Sequence, residues 1–330
     1  MKCFANQLKN ATGIVVSLAF VSGCAINMKV PVKDPASSTL AYKKAGVVRP
    51  ASLSFKDDRT TEDKTKILSG LIPMQMVYMD KAFDAVPWIA QQTVKEMTAR
   101  GLPVTLVDEG KSGTSVLINR VHIENHRASG FSPFVTFTSL RADVMTDRGP
   151  QRITSWVKRG KVPVWSFDEV IDPTYNDPLG VLTKEFAAKL NQKLFQQEIS
   201  NDQVNALIGK INQDGGQADN AYLDVYQLGF GNNLSAVPEL VKLSSHANEY
   251  VRLAAISSLG ILKATNQVDF LTRLYETPGL LWQDRAMALK AIGDMDTPAS
   301  RAYLQKQLTQ MGSRTDKEAV WTKEIIALYL

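Results

Sequence analysis

The chain has 330 residues, of which 38 are lysine or arginine and 33 are aspartate or glutamate. This small positive excess is too weak to indicate a nucleic-acid-binding protein. The length is sufficient for two domains that each have a hydrophobic core. The two cysteines, Cys3 and Cys24, both lie near the N-terminus.

The first two dozen residues have the pattern of an export signal. Lys2 and Lys9 precede an apolar run over residues 13–21, which is shorter than the about 20 apolar residues that a membrane-spanning helix needs. The run ends in the sequence Val-Ser-Gly-Cys, which closes with Gly23 and Cys24. This sequence resembles the lipobox of bacterial lipoproteins. An ordinary secretory signal with a chance cysteine is the alternative.

The resemblance to lipoproteins implies a location. It implies cleavage between Gly23 and Cys24, removal of residues 1–23, which include Cys3, and a Cys24 that carries acyl chains. On this basis we expect no intramolecular disulfide. Each buried methylene of such a chain contributes about 0.8 kcal/mol to membrane binding. In the family, an aspartate after the cysteine retains the protein at the inner membrane. Because Ala25 occupies this position, the resemblance implies an anchor in the outer membrane of a Gram-negative cell, facing the periplasm.

Residues 24–44 are predicted to form a flexible tether, since Pro31 and Pro35 interrupt any periodic pattern. Residues 45–197 are predicted to form an α+β sandwich with an antiparallel or mixed sheet and two helices. Strands are predicted at 47–55, 104–107, 115–124, 135–146 and 153–161, and helices at 82–100 and 179–195. The turn at Asp57, Asp58 and Arg59, together with Gly101, loosely resembles envelope lipoproteins of the YajG type and auxiliary lipoproteins of transport systems, which implies assembly or binding.

Residues 198–217 are predicted to be a linker with one short helix and a hinge at 212–217. Residues 218–330 contain a repeat, because the segment 251–260 can be aligned with 284–293 after a shift of 33 residues. The shared pattern resembles HEAT repeats and predicts an all-α HEAT-like solenoid. Four positions match between the two copies. They are Arg252, Ala255, Leu259 and Gly260 in the first, and Arg285, Ala288, Ile292 and Gly293 in the second.

Each of these repeat positions is predicted to have a structural role and not to contact a ligand. The two arginines are expected to form a ladder between repeats, as the resemblance implies. The two alanines would let paired helices approach, and Leu259 and Ile292 would fill the space between repeats. Gly260 and Gly293 are expected to end their helices in the left-handed conformation.

The densest basic region includes Arg141, Lys158, Arg159 and Lys161 on predicted strands. Alternation would place several of these side chains on one exposed face, where they could contact anionic headgroups or an acidic partner, or simply solvent. The nearby apolar loop with Phe131 and Phe134 is a second candidate contact. On this interpretation Arg159→Ala would change stability by less than about 0.5 kcal/mol.

No reaction is indicated. His122 and His126 have the spacing of a helical metal pair but fall at the end of a predicted strand without a third ligand. We expect no catalytic residue, cofactor or metal. The favoured hypothesis is a non-enzymatic lipoprotein scaffold or assembly factor that binds another envelope protein. The alternative is an enzyme or small-ligand carrier with its site in the α+β domain.

Overall fold

A computed structural model describes residues 28–330 except residues 44, 45, 47, 130, 131, 164 and 214. The predictions for Gly23, Cys24 and Phe131 therefore lie outside the described residues. The described chain forms an N-terminal domain built on a mixed sheet, followed by a C-terminal helical region. This confirms the predicted order of a sheet domain and a helical domain.

The larger sheet has six strands in the described chain, in the order β6-β2-β7-β8-β9, with β3 paired to β7. Strands β6, β2 and β7 are parallel, while β8 and β9 continue the sheet as antiparallel neighbours. A second, small sheet has the order β1-β4-β5. The strands are β1 Met28–Pro31, β2 Ala51–Asp57, β3 Leu68–Gly70, β4 Met74–Tyr78, β5 Lys81–Ala82, β6 Val104–Val107, β7 Thr114–His126, β8 Phe134–Thr146 and β9 Gly149–Lys161.

Two long helices, α2 (Ala85–Ala99) and α4 (Asp177–Leu194), pack against the larger sheet. Each helix buries one apolar face against the sheet. On α4, for example, the Phe186 ring packs edge-on to the ring of Phe55, with 6.4 Å between ring centres. Helix α2 ends before Gly101, whose φ of 83° is the left-handed conformation predicted for a helix stop. A short helix α1 (Thr61–Thr65), a helix α3 (Asp168–Ile171) and a π-helical turn over Asp172–Asn176 complete the domain.

The predicted flexible tether is wrong for residues 28–43. Strand β1 pairs in parallel with β4, and Val30 is completely buried. Tyr42 is also buried, and its hydroxyl donates to the carbonyl of Phe230 at 2.9 Å. The sequence did not indicate this packing, because Val30 and Tyr42 stand among prolines and charged residues and their partners are far away in sequence. The sheet domain therefore includes residues that composition assigned to a linker.

The helical region follows as a series of helices that pack in pairs. The helices are α5 Asn201–Gln213, α6 Ala221–Phe230, α7 Val237–Leu243, α8 Glu249–Ile261, α9 Val268–Glu276, α10 Trp282–Asp294, α11 Pro298–Met311 and α12 Lys317–Tyr329. Helices α6, α8, α10 and α12 lie side by side in that order, and α5, α7, α9 and α11 each pack against the next helix in sequence. The predicted short helix of the linker is α5, and it packs through buried Val204, Leu207 and Ile211.

The glycines of the repeat have a different role from the predicted one. Gly260 and Gly293 lie inside α8 and α10, and a Cβ at these positions would come within 2.5 Å of the Ala291 Cα and 2.7 Å of the Tyr329 ring, respectively. They are therefore required for close helix contact. The left-handed conformation falls three residues later, on Lys263 (φ 52°) and Asp296 (φ 55°), and the backbone amide of each turns back to the carbonyl of its glycine.

Candidate functional site at the junction between the sheet and the helices

The side chain of Arg159 is enclosed where β9 meets the helical region. It is 7% exposed, and its guanidinium carbon lies 4.0 Å from the ring centre of Tyr222 and 3.9 Å from that of Tyr250. Its Nε donates to the carbonyl of Pro173 at 3.3 Å. The prediction that Arg159 is an exposed contact residue is wrong, because tyrosines of α6 and α8 occupy the space that alternation left open.

The rest of the predicted basic surface is also largely used within the chain. Lys158 forms an ion pair with Glu249, and Arg141 donates to the carbonyl of Ala327 at 3.3 Å. Phe134 is completely buried, so it cannot be a loop-tip contact, whereas Lys161 is exposed as predicted. The helical region is thus the acidic and polar partner of this face. Alternation placed these side chains on the strands but could not show what covers them.

The free edge of β9 is covered by side chains. A strand edge carries unpaired backbone groups that favour pairing with other chains. The Thr154 carbonyl accepts from Lys189 Nζ at 2.6 Å, and the Gly160 carbonyl accepts from the Tyr250 hydroxyl at 2.7 Å. The same junction is filled by aromatic rings, with Phe137 5.0 Å from Trp321 between ring centres. Sheet and helices are therefore held by both polar and apolar contacts.

Below this edge lies a buried network of four charges. Lys189 Nζ contacts Glu185 Oε1 and Asp294 Oδ1, each at 2.6 Å, and Lys290 Nζ contacts Glu185 Oε1 and Asp294 Oδ2, each at 2.7 Å. Burial alone would lower the pKa of Lys290, but the carboxylates of Asp294 and Glu185 raise it overall. Burial would raise the pKa of Asp294, but Lys189 and Lys290 lower it overall. Two helices of different domains are thus joined by opposite charges.

Next to this network a cavity of about 380 Å³ opens between α4, β9 and the ends of α8 and α10. One carboxylate in its wall, that of Asp296, forms ion pairs with three cationic side chains. Its Oδ2 lies 3.0 Å from Lys193 Nζ and 3.4 Å from Lys263 Nζ, and its Oδ1 lies 2.5 Å from Arg301 Nη2. Burial opposes ionisation of Asp296, but hydrogen bonds from Arg301 and Lys193 lower its pKa to about 2.

The sequence did not predict this cavity, and the row of turns beside it is recognisable only from the backbone conformation. Asn232, Lys263 and Asp296 each stand three residues after a glycine of the repeat, and all three have positive φ. Helix α4 lies across this row of turns, where Gln192 donates to Asn232 Oδ1 at 3.0 Å and Lys193 contacts Asp296. A non-glycine residue in the left-handed conformation at a repeated position is uncommon enough to direct attention to these turns.

The two repeat arginines connect successive helix pairs. Arg252 Nε lies 2.9 Å from Asp284 Oδ1, which joins α8 to α10. Arg285 Nη2 lies 2.8 Å from Glu318 Oε2, which joins α10 to α12. Each ion pair therefore joins a helix to the second helix after it in the chain. Four further repeat positions, Ala255, Leu259, Ala288 and Ile292, are completely buried.

The two histidines of β7 do not converge. His122 Nε2 lies 2.9 Å from Ser69 Oγ and its Nδ1 lies 3.1 Å from the Lys66 carbonyl. The ring of His126 packs against Trp321, with 4.8 Å between ring centres. Within the described residues, no group of three or more histidine, cysteine, aspartate or glutamate side chains is arranged to hold a metal ion.

One end of the larger sheet carries exposed apolar side chains. Trp165 follows β9 and is 90% exposed, and Leu71, which follows β3, is 68% exposed. Met28, the first residue that the structure describes, lies at this end, because it pairs with Met74, whose sulfur accepts from the Tyr175 hydroxyl at 2.9 Å. The Tyr175 ring lies 5.9 Å from Phe134 at the start of β8.

Across the part of the chain that the structure describes, no helix has the length and apolarity needed to cross a bilayer. No protein-family model and no curated protein matches the chain. A solved structure titled "Crystal structure of uncharacterized protein" is similar to 47% of this chain and 99% of its own, with 9% identity and a TM-score of 0.30. A similarity at this level supports no argument about fold or function.

Proposed function

We propose that the protein is a lipid-anchored envelope protein that acts by binding another protein and not by catalysis. In this proposal Cys24 carries the lipid, the outer membrane is the site of anchoring, and the described chain faces the periplasm. The observation that carries the proposal is the position of Met28, the first residue that the structure describes. Met28 stands only four residues after Cys24, at the sheet end that exposes Trp165 and Leu71.

The short distance from the anchor to the fold supports one orientation of the protein. Four residues of extended chain span at most about 14 Å, so an acylated Cys24 holds this sheet end close to the bilayer surface. Indole rings favour the interface between lipid and water because they combine an apolar body with a polar tip. The exposed Lys29 and Lys161 add positive charge that anionic headgroups attract. In this orientation, Trp165 contacts the membrane.

We further propose that the helical region is a HEAT-like stack. Support comes from the helix pairs in sequence order, from the close contacts at Gly260 and Gly293, and from the ion pairs of Arg252 and Arg285. In such stacks each repeat contacts mainly its neighbours and the array presents an extended surface. One side of this array is already occupied by the sheet domain. A partner therefore binds the other side, where α7 and α9 are accessible.

An apolar groove supports this second surface. The groove has a volume of about 560 Å³ and lies between α7 and the turn that precedes α9. Its lining includes Leu234, Val237 and Val241, and Leu234 is 59% exposed. We propose that it holds an apolar segment of a partner protein of the envelope.

Lipidation is tested first, by mass analysis of the protein isolated from its native membrane. The expected result is a chain that begins at Cys24 and carries acyl chains, with Cys24→Ala found in the soluble fraction. A chain that retains residue 1, or that has an unmodified thiol at position 24, contradicts the anchor.

The orientation is tested with vesicles that contain anionic lipid. On binding, we expect the tryptophan emission to shift to shorter wavelength, because Trp165 moves from water into the interface. The variant Trp165→Ser should lose this shift. The variant Leu106→Ser, which alters an exposed apolar residue of edge strand β6, is the matched control. An equal shift in the wild type and in Trp165→Ser refutes the orientation but leaves the anchor standing.

The partner surface is tested by photo-crosslinking in intact cells. A crosslinker at Leu234 should capture one or a few proteins, and one at the exposed Lys111 of the sheet domain should not. Truncation at residue 212 is unsuitable for this purpose because it would uncover the β9 edge and the aromatic junction. Identical crosslinks from both positions contradict a specific site at α7.

A further inference from the structure

We propose that the cavity between α4, β9 and the ends of α8 and α10 binds a phosphate group, either free or carried by a small soluble molecule. The residues that would bind it are Lys193, Lys263 and Arg301. The inference concerns a small ligand and is independent of the proposed anchor and of the proposed protein partner.

The argument begins with the charges that line the cavity. Lys189 and Lys290 are neutralised by Glu185 and Asp294 in the buried network. Arg152 is also engaged, with its Nε 3.2 Å from Asp143 Oδ1 and its Nη1 3.1 Å from the Leu330 oxygen.

The remaining three cations share a single carboxylate, and Lys193 Nζ also donates to Gln151 Oε1 at 3.2 Å. Lys193, Lys263 and Arg301 all contact Asp296, so two positive charges at this point of the wall are uncompensated by a side chain. Burial lowers the pKa of Lys263, and the neighbouring charge of Lys193 lowers it further. A doubly charged anion would remove this excess and relieve the repulsion between the two lysines.

The number of donors leads to the same conclusion. An ammonium group has three N–H donors and a guanidinium has five, whereas one carboxylate accepts about four hydrogen bonds. The three cations therefore retain donors after binding Asp296. They come from α4, from the turn after α8, and from α11, so the donors belong to three separate elements around Asp296. Such an arrangement suits a tetrahedral phosphate better than a planar carboxylate.

The size and access of the cavity are also suitable. Ligand cavities in proteins have volumes from about 300 Å³ upward, and this one measures about 380 Å³. Lys193 is largely buried, whereas the Arg301 side chain is 60% exposed and lies at the opening. The cations therefore include one that is largely buried and one that is accessible to solvent.

The test is calorimetric titration of the full-length protein with inorganic phosphate, with glycerol phosphate, and with vesicles that contain phosphatidic acid. We expect inorganic phosphate or the soluble ester to bind, more weakly at higher salt because the charges are partly exposed. The double variant Lys193→Gln/Arg301→Gln should bind at least about tenfold more weakly. Lys306→Gln, an exposed lysine of the same helix α11, is the matched control and should bind as the wild type does.

A variant that gains affinity guards against a purely structural explanation. Asp296→Asn removes the carboxylate that competes with phosphate for the three cations, so it should bind phosphate more tightly than the wild type. Circular dichroism shows whether each variant is folded. The proposal is overturned by a wild type that binds neither soluble phosphate, by binding that needs the vesicle, or by a folded double variant with unchanged affinity.

Discussion

Replacement of Arg159 by alanine tests the junction directly. A desolvated cation–π contact contributes about 2 kcal/mol, and a hydrogen bond from a charged donor contributes about 1.5–3 kcal/mol. The contributions of Tyr222, Tyr250 and the Pro173 carbonyl overlap, because one guanidinium makes all three contacts. In the described chain, Nη1 of Arg159 has no hydrogen-bond partner, and its removal offsets part of the loss. We therefore expect Arg159→Ala to lower the free energy of unfolding by about 3 kcal/mol.

The assay is urea unfolding at neutral pH, followed by circular dichroism, with the denaturant slope checked for constancy. Arg148→Ala is the matched control because Arg148 is an exposed arginine in the turn before β9; it should change stability by less than about 0.5 kcal/mol. Arg159→Lys keeps the charge but loses the flat stacking group, so it should fall between the two. If Arg159→Ala and Arg148→Ala unfold at the same urea concentration, the junction is not held as argued.

Three further predictions concern the helices and their buried charges. Gly260→Ala should destabilise the protein by about 1–3 kcal/mol through overpacking, since its Cβ would clash with Ala291. The control is Gly209→Ala in α5, where nothing lies within 4 Å of the added Cβ, and it should stabilise the protein by about 0.5–1 kcal/mol. Equal urea midpoints for the two variants would refute the close contact at Gly260. Lys290→Met should destabilise by about 3–5 kcal/mol because it leaves buried carboxylates short of a cation, and a neutral effect in the same assay would contradict the network. The pKa of the Asp294 carboxyl is lowered in the fold. Its ionised form therefore stabilises the fold at pH values above the unfolded pKa of about 3.9, and this stabilisation is lost as the pH falls through the folded pKa. Urea unfolding midpoints measured between neutral and acid pH should show this loss of stability, and the loss should be smaller in Lys290→Met.

Local patterns in the sequence were sufficient for much of the sheet domain. The helix α2 with its stop at Gly101 and the long strands β7, β8 and β9 follow from apolar periodicity and turn residues. Periodicity failed for β1 because Val30 and Val32 stand among prolines and charges, and because their partners come from β4 and the domain core. A strand that is defined by a distant partner has little local signature.

The candidate site was harder to predict because it depends on contacts between domains. Alternation correctly assigned Arg159 to a strand, but it does not reveal that Tyr222 and Tyr250 pack over it. Lys290 was a sequence signal for this site, because it places a charged residue inside the apolar repeat helix, at the position where the previous copy has Ser257. The two side chains are in fact hydrogen-bonded at 2.8 Å. A charge in a buried repeat position indicates a partner outside the repeat.

The covered edge of β9 has a consequence for how the protein folds during its synthesis. The Gly160 carbonyl is satisfied by the hydroxyl of Tyr250, which lies 90 residues later in the chain. A chain that emerges from its N-terminus must therefore complete the sheet domain before the group that shields its last strand exists. During that interval β9 is open to pairing with another nascent chain. Slow delivery of the helical region should therefore promote aggregation, and a holding chaperone should suppress it.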